Sequence, residues 1–154
     1  NEGDNSRVDL VMLCEDNDGN GYRIRPPFHP KEIARFHSIL IKSNLETIFQ
    51  GDHEFLLIFD MKDRLIGGVY WKLSKKDNVV HFEWIVIRSK YRKKELSKRL
   101  MEELFSRLKN KGIKYIVAGF FQEDFFYKHG FKINRNFGGL VKDIVDTEQS
   151  DLPV

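Results

Sequence analysis

Residues 79–112 read V-V-H-F-E-W-I-V-I-R-S-K-Y-R-K-K-E-L-S-K-R-L-M-E-E-L-F-S-R-L-K-N-K-G, and this stretch decides the fold. Its opening, Val79–Ile87, is rich in β-branched and aromatic residues, which predicts a strand. A short and very basic turn follows. An amphipathic helix is then predicted from about Glu95 to Gly112, because apolar side chains recur at helical spacing at Leu96, Leu100, Met101, Leu104 and Leu108. A basic turn that opens a helix favours a phosphorylated ligand, since helix N-terminal amides and cations both attract anions.

The composition of the 154 residues limits what the chain can be. An apolar share of 41% with 13 Phe predicts a packed globular domain. The net charge is only +3, so the basic turn is a local feature and nucleic acid is not an expected partner. Cys14 is the only cysteine, which excludes a disulfide within the chain. The sequence has no apolar run near the ~18 residues of a membrane span, and we expect a cytoplasmic protein that does not bind membranes. Because the chain begins at Asn1, further domains linked N-terminally are expected.

The order of predicted elements indicates an α/β fold with a mixed central sheet and helices on both faces. Strands are expected at Val8–Leu13, Tyr22–Arg25, Glu54–Asp60, Leu65–Leu73, Val79–Ile87, Lys114–Ala118, Phe131–Ile133 and Leu140–Ile144. Helices are expected from Pro30 to about Ser43, more weakly over 44–50, from Glu95, and over Glu123–His129 before a left-handed Gly130. The predicted organisation is an arm over 1–21 with an extra strand, one domain over 22–144, and a polar tail over 145–154.

The strand at Val79–Ile87 carries two ionisable residues on one face. Its even positions are apolar, whereas His81 and Glu83 occupy odd positions and therefore project to the other face. A His and a Glu just upstream of a phosphate-type turn are candidates for general-base catalysis. The alternative is a half-exposed strand whose polar side chains meet water.

Other motifs have alternative interpretations. The basic run Arg88–Arg99 fits a solvated helix start as well as a phosphate site, and nucleic-acid binding is disfavoured because Tyr91 is its one aromatic residue. The turn at 16–21 matches the first half of a calcium loop, but Pro27 occupies the place of the bidentate Glu, so a polar surface turn is preferred. The five histidines show no metal-ligand spacing, and no metal is expected.

Two motifs and the order of elements together resemble the GCN5-related N-acetyltransferase (GNAT) family. The segment R-K-K-E-L-S at 92–97 is similar to the family's [Q/R]-x-x-G-x-[G/A] turn after a strand. The segment F-F-Y-K-H-G-F at 125–131 is similar to the family's F-Y-x-x-x-G-F, and G-G-L-V-K-D-I follows it like the family's last strand. The resemblance covers about Tyr22 to Ile144.

The resemblance implies an acyl-CoA-dependent N-acyltransferase, most simply an N-acetyltransferase using acetyl-CoA, whose amine acceptor is a small molecule or a protein and attacks the thioester directly. The backbone of Ile85, Val86 and Ile87 would bind pantetheine, and the pyrophosphate would be held by Arg92, Lys93, Lys94, Glu95, Leu96, Ser97 and Lys98. His81 aligns with the glutamate base of the histone-acetylating branch, and Glu83 lies next on the same face. Tyr127 is the candidate that protonates the departing thiolate, and a homodimer is one assembly considered.

Three residues depart from the family pattern. Glu95 replaces the first glycine of the turn, Phe126 occupies the usual tyrosine position beside Tyr127, and Gly119 lies near the place of a common Asn. These departures define the alternative hypothesis, a CoA-binding or regulatory module with weak turnover inside a larger protein. The phenylalanines at 120, 121, 125 and 126 would either line a cleft for longer acyl chains or pack in the core, and core packing is favoured.

Overall fold

The computed structural model describes residues 10–45, 47–74, 76, 78–119, 123–137 and 139–144. Its strands are β1 Met12–Glu15, β2 Gly21–Arg25, β3 His53–Asp60, β4 Leu65–Ser74, β5 Val79–Ile87, β6 Tyr115–Ala118, β7 Lys132–Asn134 and β8 Gly139–Asp143. Its α-helices are α1 Pro30–Lys42, α2 Leu96–Asn110 and α3 Glu123–Lys128, and a 3₁₀ turn covers Ser89–Tyr91.

The eight described strands form one mixed sheet in the order β1-β2-β3-β4-β5-β6-β8-β7. Strands β1, β2 and β3 pair antiparallel, as do β6 with β8 and β8 with β7. Strands β5 and β6 are parallel, with α2 in the connection between them. A parallel pair requires such a crossover, so the strand–turn–helix at 79–112 sets the centre of the sheet. The predicted α/β fold with a mixed sheet is confirmed.

The fold divides into two compact units. The first contains the described residues up to Tyr70 together with Trp84–Glu103, and the second contains Trp71–Glu83 together with the described residues from Leu104 onward. The core of the first unit is a cluster of buried apolar side chains from α1, β3, β4 and β5, formed by Phe36, Leu40, Leu57, Phe59, Leu65, Tyr70 and Val86. In the second unit Val79, Val117 and Val141 form a smaller cluster across β5, β6 and β8.

A buried ion pair fixes the start of α1. Arg25 and Glu32 form two charge-assisted hydrogen bonds of 2.9 and 2.6 Å, and the Phe28 amide donates a third to Glu32 at 2.7 Å. The Arg25 guanidinium also lies 4.2 Å from the Phe28 ring centre and 4.0 Å from that of Phe59. Although desolvation opposes its charge, these bonds lower the pKa of Glu32 to about 2. This pair ties the end of β2 to the first turn of α1.

Two adjacent glycines let β4 pack closely. A Cβ on Gly67 would lie 2.3 Å from the carbonyl oxygen of Val86 on β5. A Cβ on Gly68 would lie 2.7 Å from a methyl carbon of Leu57 and 2.9 Å from the ring of Phe36. These approaches are shorter than van der Waals contact, so a side chain at either position would displace its neighbours in the packing observed here.

Several element predictions need correction. The helix expected over 44–50 is wrong, because Asn44 adopts a φ of 61° and the Leu45 amide bonds back to the carbonyl of Leu40, which ends α1. The long helix begins at Leu96 rather than Glu95. The first strand lies at Met12–Glu15, later than the expected 8–13, of which residues 8 and 9 lie outside the described part. The left-handed Gly130 is confirmed, with a φ of 88°.

Candidate active site

The basic turn has a backbone that presents amides without partners. Lys93 and Glu95 adopt left-handed φ values of 65° and 63°. The first bond of the helical pattern runs from the Arg99 amide to the Glu95 carbonyl at 3.2 Å. Within the described residues, the amides of Lys93–Lys98 have no hydrogen-bond acceptor. Consecutive amides of this kind at a helix start form a concave site for an anion.

The left-handed backbone explains why the family pattern has glycine in this turn. A residue with a side chain costs roughly 1–2 kcal/mol in this conformation, whereas glycine adopts it freely. Glu95 occupies the first glycine position with a φ of 63°, so the chain keeps the shape of the turn without its usual residue. Its side chain is exposed.

The turn is tied to the end of β5. The Arg92 Nε–H donates to the carbonyl of Ile87 at 2.8 Å. The 3₁₀ turn between them is closed by the Tyr91 amide, which donates to the Arg88 carbonyl at 2.8 Å. The first residue of the family-like motif therefore braces the turn against the strand that precedes it.

Lys94 is held by the loop between β1 and β2. Its Nζ lies 3.1 Å from an Asp18 carboxylate oxygen and 3.9 Å from one of Asp16. The Asp16 side chain is buried, whereas that of Asp18 is 68% exposed. The cation that reaches this loop is therefore a lysine of the basic turn.

Asp16 organises the β1–β2 loop. Its Oδ1 accepts the amides of Asp18 and Asn20, and its Oδ2 accepts the Tyr22 hydroxyl at 2.7 Å and the Asn20 side chain at 3.1 Å. Desolvation opposes its charge, but the hydrogen bonds from Tyr22 and Asn20 dominate and lower the pKa of Asp16 to about 2. Both oxygens are engaged by the protein, which argues against the calcium interpretation of this motif. Among the described residues, no cluster of His, Cys, Asp and Glu could hold a metal ion.

A second buried carboxylate supports the turn from the β3–β4 loop. Asp60 accepts the amides of Lys62 and Arg64 at 2.9 Å each and the Arg64 Nε–H at 2.7 Å. The Tyr91 hydroxyl donates to the same carboxylate at 3.3 Å, and the Tyr91 ring packs edge-on against Tyr22 at 6.4 Å. Tyr91 thus links the 3₁₀ turn to both neighbouring loops.

Strand β5 extends beyond its parallel partner. The β5–β6 ladder pairs Val79–His81 with Tyr115–Val117, and β6 ends at Ala118. Strand β5 continues to Ile87, which places Ile85, Val86 and Ile87 past the last paired residue of this ladder. A strand edge can pair with an extended ligand, which is the role that the resemblance to the GNAT family implies for these three residues.

The predicted catalytic residues lie in the second unit. His81 is exposed on β5, and Glu83 on the same strand face is half-buried. Phe126 on α3 is 1% exposed and packs on the ring of Phe82 at 5.2 Å, which supports core packing for this phenylalanine. Tyr127 is the next residue along α3 and is 43% exposed. The phenylalanines at 120 and 121 lie outside the described residues.

The sequence matches a known family. A family model described as an acetyltransferase (GNAT) domain matches residues 24–136, which is most of the chain. The chain belongs to the GNAT family. Among curated proteins, no sequence matches it.

Solved GNAT structures share the fold. GCN5 from Tetrahymena is 17% identical with a TM-score of 0.65, and the alignment covers 74% of this chain and 87% of that one. The GNAT N-acetyltransferase YhbS from Escherichia coli, solved with CoA, is 15% identical with a TM-score of 0.60 over 92% and 87% of the two chains. The PaiA N-acetyltransferase from Thermoplasma acidophilum, also solved with CoA, is 25% identical with a TM-score of 0.52 over 74% and 71%.

The residues that hold the turn in place lie outside the GNAT motifs, and the sequence did not indicate them. Asp16 and Asp18 contact Lys94, and Asp60 accepts the Tyr91 hydroxyl. The motif D-N-D-G-N-G indicated a polar surface turn, but nothing in it indicated which lysine the loop would contact. In the described part of the chain, no helix is both long and apolar enough to cross a membrane.

Proposed function

We propose that this chain is an acyl-CoA-dependent N-acyltransferase, most simply an N-acetyltransferase, acting on an amine. The observation that carries the proposal is the turn from Arg92 to Lys98. Within the described residues the amides of Lys93–Lys98 lack acceptors, and Lys93 and Glu95 have the left-handed φ that glycine adopts freely. The turn also carries four cationic side chains, those of Arg92, Lys93, Lys94 and Lys98. A site of this kind fits a pyrophosphate.

The relatives support CoA as the bound group, since the PaiA and YhbS structures were solved with it. Acetyl-CoA would supply an activated acyl group as a thioester. In this chain the amides of Lys93–Lys98 would bind its pyrophosphate, and the β5 edge at Ile85–Ile87 would pair with its pantetheine arm. The hydrogen bond from Arg92 to the Ile87 carbonyl holds the turn against the end of β5.

The chemistry needs a base for the acceptor and an acid for the leaving sulfur. Glu83, with His81 beside it on the strand face, is the proposed base that takes the proton from the amine as its nitrogen forms the C–N bond. Tyr127 is the proposed acid that gives a proton to the sulfur as the C–S bond breaks. A cytoplasmic location and a small-molecule or protein acceptor remain predictions.

The test separates binding from catalysis. The double variant Arg92→Ala, Lys94→Ala is expected to raise the calorimetric Kd for CoA about tenfold or more, because charge-assisted contacts contribute roughly 1.5–3 kcal/mol each. Glu83→Gln is expected to lower thiol release about a hundredfold and to leave the Kd for CoA within about twofold. His81→Ala and Tyr127→Phe are measured in the same way.

Lys31→Ala is the matched control, because Lys31 is an exposed cation at the start of α1, away from the turn. If the wild-type protein does not bind CoA, the proposal fails. If Glu83→Gln, His81→Ala and Tyr127→Phe all retain wild-type rates, the assignment of base and acid fails while CoA binding stands.

A second candidate function is a CoA-binding module with little turnover. Two observations favour it: Glu95 brings a negative charge to the turn, and Phe126 places an apolar ring where the family has tyrosine. CoA binding without thiol release from acetyl-CoA across a panel of amines would select this function over the enzyme.

A further inference from the structure

A cationic groove lies in the first unit, beside the basic turn. It is lined by the C-terminal half of α1, the β3–β4 loop and the residues that follow β5, and its volume is about 760 Å³. We call it the cationic groove and define it by Arg35, Lys42, Asp63, Arg64, Arg88 and Arg92. This volume is within the range of small-molecule sites in proteins, roughly 300–1,000 Å³.

Most positive charge of the groove is not neutralised by the protein. Its one acidic residue, Asp63, forms an ion pair of 2.7 Å with Arg23, which is not part of the lining. Arg64 is paired with Asp60 at 2.7 Å. Among the described residues, no carboxylate lies within ion-pair distance of Arg35, Lys42 or Arg88.

A second cavity nearby serves as a comparison for the charge of the groove. That cavity has a volume of about 590 Å³ and is also lined by Lys62, Arg64, Lys90 and Lys94. Here Lys94 is paired with Asp18, and Asp60, itself part of the lining, binds Arg64. Among the described residues, two of the four cations of the second cavity are therefore paired, which leaves Lys62 and Lys90. In the cationic groove Arg64 alone of the five cations is paired, so the unpaired positive charge is larger there.

The groove is separate from the amides of the basic turn. Arg92 is the only residue of the turn in its lining, and the Nε–H of Arg92 already donates to Ile87. The amides of Lys93–Lys98 therefore offer one anion site and the groove another, with Arg92 between them. Arginine also favours carboxylate and phosphate, because its planar guanidinium can donate two parallel hydrogen bonds.

We propose that the cationic groove binds a carboxylate or phosphate group of the acceptor, so that the acceptor amine is an anionic small molecule. This inference rests on the proposed function, because it assigns the donor's pyrophosphate to the turn and the acceptor's anion to the groove. The acceptor is then selected by its charge, and its amine is held in place by the far end of the same molecule.

The first experiment uses inorganic phosphate as the probe. Phosphate is titrated at constant ionic strength while nitrogen-edited NMR follows the Nε–H signals of Arg35 and Arg88. Saturable shifts of both signals are expected, and the double variant Arg35→Glu, Lys42→Glu should abolish that of Arg88. The control Lys31→Glu reverses a charge on α1 outside the groove and should leave both shifts unchanged. Shifts that do not saturate overturn the proposal.

The second experiment distinguishes the acceptor from the coenzyme as the source of the anion. Phosphoethanolamine and ethanolamine are compared as acceptors, because they differ by one phosphate group. The double groove variant should lower kcat/KM at least tenfold for phosphoethanolamine and less than twofold for ethanolamine, with an unchanged Kd for CoA. If it instead weakens binding of CoA but not of dephospho-CoA, the groove serves the coenzyme and the proposal is overturned.

The failures of the two proposals are distinguishable. Saturable phosphate binding in the groove without any CoA binding would overturn the proposed function, and with it the role of the groove in acceptor binding. CoA binding and thiol release without phosphate shifts at Arg35 and Arg88 would overturn the anionic acceptor alone. Folding of the double variant Arg35→Glu, Lys42→Glu is checked by denaturant unfolding, whose midpoint should be close to that of the wild type because both residues are exposed.

Discussion

Two kinds of turn meet beside the candidate coenzyme site. The loops at Asp16–Asn20 and Asp60–Arg64 are both closed by a buried carboxylate that accepts backbone amides of its own loop. The turn at Arg92–Lys98 is closed by no such carboxylate, and its amides from Lys93 to Lys98 have no acceptor in the described part of the chain. In the closed turns the backbone amides donate to a carboxylate of the protein, whereas in the open turn the amides are left to bind a ligand.

The closed turns also stabilise the open one. Lys94 contacts Asp16 and Asp18 in the first loop, and Tyr91 donates to Asp60 in the second. An open turn with two left-handed residues is unfavourable by itself, since each costs roughly 1–2 kcal/mol. The neighbouring loops therefore supply contacts that hold the open turn in a binding conformation before a ligand arrives.

The largest expected effect comes from opening a closed turn. Asp16→Ala is expected to lower the free energy of unfolding by about 2–4 kcal/mol, because hydrogen bonds to a charged group contribute roughly 1.5–3 kcal/mol and the buried Tyr22 hydroxyl would lose its acceptor. Denaturant unfolding measures the change. Asn17→Ala in the same loop is the control and should change it by less than about 0.5 kcal/mol, because Asn17 is exposed. Equal effects would show that Asp16 does not close the loop.

The free energy of unfolding at acid pH tests the same turn, because protonation of Asp16 weakens its hydrogen bonds. The folded pKa of Asp16 is lowered from 3.8 to about 2, so its contribution is present above the unfolded value and is lost as the pH falls from about 4 through 2. Asp16→Asn should flatten the pH dependence of the unfolding free energy in this window. Glu32→Gln is the companion variant, because the pKa of Glu32 is also about 2, and an unchanged slope in both variants would contradict the shifts.

A smaller effect is expected from a substitution in the open turn itself. Glu95→Gly should lower the Kd for CoA about fivefold, since removing one nearby charge in water is worth about 1 kcal/mol. Stability should change by less than about 1 kcal/mol, because relief at a φ of 63° is offset by the greater freedom of glycine in the unfolded chain. Glu95→Gln is the control for charge alone. If Gly improves affinity and Gln does not, the backbone rather than the charge limits binding.

The smallest effect is expected from a substitution at the contact between a closed turn and the open turn. Asp18→Asn should release Lys94 for a phosphate and lower the Kd for CoA about twofold at low salt. Asp18 is 68% exposed, and pairs of this kind are worth roughly 0–1 kcal/mol. The difference between variant and wild type should vanish at high ionic strength. A weaker affinity in the variant would mean that Asp18 positions Lys94 rather than competing for it.

Local sequence patterns predicted most of the fold. The alternation in β5 gave that strand at its observed limits, and the apolar repeat in α2 gave the helix within two residues of its observed limits, because each is determined by the burial of one face. The helix expected at 44–50 failed because Asn44 reverses the chain, and Asn tolerates a left-handed φ for reasons that apolar periodicity does not report.

The candidate site was less predictable. The basic turn was visible because its charges are contiguous in sequence. The cationic groove was not, since Arg35, Arg64 and Arg88 come from three separate elements and are brought together only by the fold. The same holds for the contact between Asp18 and Lys94, which are distant in sequence.

The adjacent glycines of β4 restrict how this protein can vary. Successive residues of a strand face opposite sides, so substitutions at Gly67 and Gly68 would press on different neighbours. At Gly67 even a methyl group meets a backbone carbonyl that cannot rotate away, whereas at Gly68 it meets the movable end of Leu57. Gly67 should therefore tolerate no other residue in a mutational library. Gly68 should be recovered as alanine only together with smaller side chains at positions 57 and 36, because the ring of Phe36 also lies 2.9 Å from the added carbon.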